Sequence, residues 1–165
     1  MVANIPYYIT GEIIRQFLTA PNQPASMALL VQKEVAERIA RSKKESLLSL
    51  SVKVYGSPNY CFTVPRGAFI PIPNVDSAVL RTADISRDSF TDREEEERFF
   101  EVLHAGFAHK RKRLAKNLED YAEKGEISRA FAETGLGENA RSEDLSLADW
   151  LSLVKRMKPS ERASD

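Results

Sequence analysis

Asn4-Ile5-Pro6-Tyr7, with Tyr8 directly behind it, is the stretch on which the reading of this 165-residue chain turns. Met1-Val2-Ala3 is a short apolar lead into it. Thr10-Gly11-Glu12-Ile13-Ile14 after it reads as a helix start with Thr10 as the cap. Asn-X-Pro-aromatic at a strand-to-helix junction suits the holding of an exocyclic amine on a flat base. The Asn4 side-chain oxygen can accept one N–H. Pro6 fixes the local backbone, so that the neighbouring Ile5 carbonyl can accept the other. Tyr7 would then lie flat against the ring. An aryl amine is a poor nucleophile because its lone pair is delocalised into the ring, and two acceptors on its hydrogens favour a pyramidal nitrogen with that pair free. The same four residues read equally well as a turn leaving a strand, since Asn and Pro are common turn residues.

Outward from this stretch the chain alternates between helical and strand patterns. Gly11 to Leu18 carries Ile13, Ile14, Phe17 and Leu18 at helical spacing, and Pro21 and Pro24 end it. Ser26 to Val31 is a short continuous apolar run, the pattern of a strand buried on both faces. Gln32 to Ile39 is an amphipathic helix. A polar loop, Arg41 to Glu45, leads to a further helix through Leu47 to Val54, closed at Gly56-Ser57-Pro58. Two β-rich runs follow, Tyr60 to Val64 and Ser77 to Leu80, joined by a stiff loop holding Pro65, Gly67, Pro71 and Pro73. This order predicts an α/β fold, the second half of a doubly wound sheet. Past Ile85 the pattern becomes helical, which places a small all-helical domain over residues 87–165 behind an α/β part over residues 1–86. Thr91-Asp92-Arg93-Glu94 reads as a capping box, and the acidic run Glu94 to Glu97 suits the first turns of a helix. Further helices are expected over about Arg111 to Glu123 and Ile127 to Thr134. Ser146 is expected to cap a last one, with Leu145 and Trp150 at the staple positions. The tail from Pro159 to Asp165 is expected to fray.

Composition narrows the classes. With 42% hydrophobic and 29% charged residues the chain has the balance of a soluble globular protein, and no apolar run approaches the roughly 20 residues needed to span a bilayer. No signal-peptide pattern opens it. One cysteine, Cys61, excludes an internal disulfide and fits a reducing cytoplasm. Twenty-four basic and 24 acidic side chains cancel, so any nucleic-acid surface must be a local patch. No His/Cys/carboxylate cluster has metal-ligand spacing, no Ser-His-Asp arrangement can be built from His104 and His109, and no Gly-X-Gly-X-X-Gly loop follows a strand. Gly135-Leu136-Gly137 lies between helices, where helix-end glycines belong.

Two further stretches bear on chemistry. Phe69-Ile70-Pro71-Ile72-Pro73-Asn74-Val75-Asp76-Ser77-Ala78-Val79 is a rigid extended loop that can hold the Phe69 ring beside a pocket. Taken alone it is also a stiff inter-strand connection with Phe69 in the core. His109-Lys110-Arg111-Lys112-Arg113, with Lys116, is the densest basic cluster. It reads either as a solvated helix face or as a phosphate-contacting patch.

Asn4-Ile5-Pro6-Tyr7 resembles the acceptor-base motif of the ribosomal RNA adenine N6,N6-dimethyltransferases, and Phe69 to Ala78 resembles that family's Phe-X-Pro-X-Pro-X-Val-X-Ser-Ala loop. Gln32 to Arg38, Lys110 to Lys116 and Asn139 to Ser146 are similar to further family segments, so the resemblance runs from Asn4 to the helix around Trp150. It implies a Rossmann-like methyltransferase with a helical C-terminal domain, which takes methyl groups from S-adenosylmethionine and dimethylates two adjacent adenosines of small-subunit ribosomal RNA. Asn4, Ile5 and Pro6 would hold the amine, and Tyr7 and Phe69 would sandwich the ring. Asn4 would also meet the cofactor. Lys110, Arg111, Lys112, Arg113 and Lys116 would contact RNA. The related large-subunit enzymes of macrolide resistance share both motifs, and a non-catalytic RNA-binding assembly factor is the reading from a different class. The glycine-rich and acidic donor motifs lie upstream of Asn-Ile-Pro-Tyr in the family. Here that tetrapeptide stands three residues into the chain, so a fragment without its cofactor-binding half is expected, inactive alone and prone to self-associate through an exposed sheet edge.

Overall fold

The computed structural model describes residues 1–157, so the expected fraying of Pro159 to Asp165 lies outside the described residues. Two compact units divide the chain: Met1–Lys43 with Leu48–Ser89, and Lys44–Leu47 with the chain from Phe90 onward.

The first unit is built on a four-stranded sheet ordered β1-β2-β4-β3. Strand β1 (Val2–Asn4) leads through a 3-10 turn, Tyr7–Ile9, into α1 (Thr10–Leu18). That helical crossover lets β2 (Met27–Gln32) return parallel to β1, with Asn4 opposite Leu30. Helices α2 (Lys33–Ala40) and α3 (Leu47–Lys53) follow. Strands β3 (Ser57–Val64) and β4 (Ser77–Ala83) pair antiparallel with each other, and β4 inserts antiparallel against β2, with Leu29 opposite Leu80. The core lies on one face of the sheet. Met27, Leu29 and Val31 of β2 and Ala78 and Leu80 of β4 are buried there, with Ile14, Leu18, Ile39 and Leu50 from the helices.

Local chemistry displaces several expected boundaries. Strand β2 is fully buried on one face only, its alternate residues Ala28, Leu30 and Gln32 being half-buried. Thr10 is the first residue of α1 and not its cap, because the Tyr7–Ile9 turn runs straight into the helix and the Thr10 hydroxyl donates back to the Tyr7 carbonyl at 3.1 Å. Ser57 and Pro58 begin β3 and do not close a helix. Pro58 has no N–H to give a ladder, and β3 is an edge strand where none is needed.

The second unit consists of α4 (Arg93–Phe107), α5 (Leu114–Leu118), α6 (Lys124–Thr134) and α7 (Leu147–Arg156). Phe99, Val102, Leu103, Leu114, Leu118, Phe131, Trp150 and Leu153 form its core. The cap of α4 is Asp92, whose carboxylate accepts the Glu95 N–H at 2.8 Å, one residue later than the expected box. Glu95 in turn accepts from the Thr91 N–H and hydroxyl at 2.8 and 2.7 Å. Ser146 and Asp149 form the capping box of α7, with Leu145 and Trp150 buried beside it. Gly135 ends α6 at φ +71°, the left-handed conformation that favours glycine. Helix α5 is far shorter than the expected Arg111 to Glu123. Three successive cations, Arg111, Lys112 and Arg113, in a first helical turn would oppose the helix dipole. In addition, the Asn117 amide captures the carbonyls of Gly106 and His109 at 2.5 and 3.1 Å, which holds the basic stretch as a turn. No helix among the described residues is long and apolar enough to cross a membrane.

Candidate functional site

At the carboxyl end of β1 the first unit carries a shallow open pocket of about 380 Å³, lined by Asn4, Ile5, Pro6, Tyr7, Phe69, Ile70, Pro71 and Pro73. Ligands of open α/β sheets bind at the carboxyl ends of parallel strands, and β1 and β2 are the parallel pair of this sheet. The five residues singled out around the two motifs thus line one recess, although the sequence places Phe69 far downstream of Asn4.

Each member is held for an identifiable reason. The Asn4 backbone is fixed by pairing with β2, while its side chain is exposed and bonds to no described residue, which leaves the amide oxygen able to accept. Ile5 is buried and anchors the turn. Pro6 sits at φ −60° and ψ 135°, within its ring's fixed range. Two of the three carbonyls along Ile5-Pro6-Tyr7 are occupied by the turn: Pro6's by the Ile9 N–H at 3.3 Å and Tyr7's by the Thr10 hydroxyl at 3.1 Å. The Ile5 carbonyl takes part in neither bond.

Tyr7 is half-buried, and its hydroxyl meets the Ser77 hydroxyl at 2.5 Å. Ser77 itself has no solvent exposure. The loop bearing Phe69 is closed at its base by Asp76. The Asp76 carboxylate accepts the Arg66 N–H at 2.9 Å, and its backbone carbonyl accepts the Lys33 N–H at 3.0 Å. A 3-10 turn, Arg66–Ala68, then delivers Phe69 in extended conformation, half-buried, ahead of a cis Ile70–Pro71 bond. Asp76 and Ser77 were not singled out from the sequence. The available signal was a pair of short polar side chains entering an apolar strand, where each must find a partner.

The basic cluster lies in the second unit, on the turn between α4 and α5. Lys110, Arg111, Lys112 and Arg113 are exposed and form no ion pair with a described residue. Lys116 stands on α5 and bridges Glu119 at 2.6 Å, and that carboxylate raises the Lys116 amine above its ordinary range. It is therefore a weaker source of free positive charge than the other four. Asn117, which shapes the turn, is 2% exposed and was likewise missed; a lone Asn in a short helix gives no sign of what it bonds.

The comparisons fit this arrangement. A family model described as "Ribosomal RNA adenine dimethylase" matches residues 1–158. The chain is 39% identical over 158 residues to a "Ribosomal RNA small subunit methyltransferase A" of Fusobacterium nucleatum, which covers 94% of this chain and 60% of the relative. It is 40% identical to the protein of the same name from Geobacillus thermodenitrificans, which covers 96% of this chain and 57% of the relative. Among solved structures, a dimethyladenosine transferase from Plasmodium falciparum superposes with a TM-score of 0.72 at 22% identity, over 92% of this chain and 64% of that one. The 23S rRNA methyltransferase ErmE gives 0.71 at 23% identity, over 94% of this chain and 63% of its own. These two likenesses bear on the fold, which is Rossmann-like α/β. The chain thus spans about 60% of the length of the two curated relatives. A match over nearly every residue places this chain in the ribosomal RNA adenine dimethylase family.

Proposed function

We propose that this chain is the acceptor-base side of an S-adenosylmethionine-dependent enzyme that dimethylates the N6 amines of two adjacent adenosines in small-subunit ribosomal RNA. The observation that carries the reading is the single recess formed by Asn4, Ile5, Pro6, Tyr7 and Phe69. The Asn4 amide oxygen and the Ile5 carbonyl accept the two amine hydrogens. The nitrogen lone pair is thereby turned out of conjugation, and Tyr7 and Phe69 cover the two faces of the ring. Extracting a base from its stack costs a few kcal/mol, and stacking returns about 1–3 kcal/mol per base, so two aromatic faces roughly offset the extraction where one falls short. The methylated amine gives its proton to water, and no general base is required.

Bound S-adenosylmethionine supplies an electrophilic methyl group. Of this chain's residues, Asn4 at the carboxyl end of β1 would hold it. No glycine-rich loop after a strand is present to cradle the rest of it, so the chain by itself is expected to be inactive. The basic turn supports phosphate contact with the RNA. The curated relatives' names favour the small subunit over the macrolide-resistance enzymes, and a ribosomal substrate favours a cytoplasmic site of action. Strand β1 lies at an edge of the sheet with Val2 exposed, which is consistent with self-association. Size-exclusion chromatography showing a monomer at high concentration would remove that part.

The test is transfer of labelled methyl groups to unmethylated small ribosomal subunits. It compares this chain, a version extended upstream to its relatives' length, and Asn4→Ala in the extended version. Activity is expected only in the extended protein with Asn4 intact, the substitution costing on the order of a hundredfold through lost positioning. An extended protein that binds the subunit but transfers nothing would make the chain part of an assembly factor. Full activity after Asn4→Ala would remove the amine-holding role.

A further inference from the structure

A second recess lies wholly within the helical unit. It is a groove of about 730 Å³, within the roughly 300–1,000 Å³ typical of small-molecule sites. Its lining takes Arg111, Lys112 and Arg113 from the basic turn, which form its cationic rim, and a wall from α6, Ser128 and Ala132 four residues apart, with Leu136 just past its end. Of the carboxylates on the lining, Glu119 is engaged by Lys116 at 2.6 Å and by Lys124 at 4.0 Å. That leaves three cations against Glu138, and the rim is net positive.

The rim is built, not incidental. Asn117 pins the turn to the end of α4 through its two amide bonds, and the Leu114 N–H donates to the Ala140 carbonyl at 2.8 Å. The backbone that carries the cations is therefore held in place at the groove. A cationic rim in front of an apolar wall matches one kind of RNA feature. A paired duplex presents phosphates and groove edges and cannot fill the recess. An unpaired nucleotide presents a phosphate and, beside it, a flat base face.

We propose that this groove is a second nucleotide site. It takes an unpaired nucleotide of the RNA substrate, with the phosphate on Arg111, Lys112 and Arg113 and the base against Ala132 and Leu136. The wall carries too few polar groups to read base identity, so the site is tolerant of sequence. This rests on the reading that the chain binds RNA.

The experiment measures binding of the full chain, by fluorescence anisotropy, to a fully paired RNA duplex and to the same duplex with one bulged uridine. Uridine has no exocyclic amine and gives the Asn4 pocket nothing to hold. The bulge is expected to tighten binding about tenfold, equivalent to about 1.4 kcal/mol. Ala132→Trp and Ser128→Trp, both at exposed positions, fill the groove and are expected to abolish that preference while leaving duplex binding unchanged. Lys112→Ala weakens both RNAs and lowers the salt slope by about one. If both Trp variants melt like the parent yet keep the preference, or if the parent shows none, the groove is not a nucleotide site although the RNA reading stands. A parent that binds neither RNA removes the RNA reading itself, and the site with it.

Discussion

Ser77 is wholly buried at the start of β4, and its hydroxyl holds that of Tyr7. Removing either hydroxyl strands the other in a partly buried place, which costs about 1 kcal/mol or somewhat more. Ser77→Ala and Tyr7→Phe are each expected to lower stability by about that amount, and the double variant by no more than one single change, because the pair acts as a unit. Chemical denaturation of the four proteins measures this, and simple additivity would show that the bond contributes nothing. On the proposed reading, in which the Tyr7 ring covers the adenine, Ser77→Ala is expected to reduce methyl transfer by the extended protein also, since it frees that ring.

At the scale of the element, α4 sets two tests for the helical unit. Glu95 is buried at its third position, and the Thr91 N–H and hydroxyl hold its carboxyl below the usual value of 4.5. With the folded value depressed, the unfolded chain takes up the proton first. The stabilisation is therefore complete above 4.5 and is lost as pH falls through the lower folded value. Glu95→Gln is expected to be less stable than the parent at neutral pH and to converge on it in acid. A gap that stays constant across urea titrations at several pH values would contradict this. Near the other end of α4, a Cβ on Gly106 would overlap the Trp150 ring and come within 3.0 Å of Leu114 Cδ1. Ala gains about 1 kcal/mol in helix propensity over Gly, but overpacking costs about 1–3 kcal/mol. Gly106→Ala is thus expected to lower the melting temperature, and a rise would mean that Trp150 can move aside.

For the molecule as a whole, 24 basic and 24 acidic side chains cancel, so the proposed RNA contact rests on the local cluster at Lys110 to Arg113. With four cations at Lys110 to Arg113 that form no ion pair with a described residue, the slope of log affinity against log salt for a duplex is expected to be no steeper than about −4. Binding titrations at several salt concentrations check this. A much steeper slope would require another charged surface.

Legible in the sequence were the alternation of elements, the cap at Ser146, the helix-end glycine at 135 and both aromatic motifs. Those features rest on local periodicity and turn chemistry, which need only neighbouring residues. That Tyr7 and Phe69 belong to one recess was legible only through resemblance; no periodicity relates residues so far apart. Tertiary structure decided the rest. Insertion of β4 between β2 and β3 brings Ser77 to Tyr7, and Asp76 closes the loop that delivers Phe69. Asn117 reaches back to carbonyls in α4 and the turn, so residues that read as the start of a helix become a turn on the rim of a groove. Each of these depends on a polar group finding its partner across the fold. Which partner it finds depends on how the elements pack.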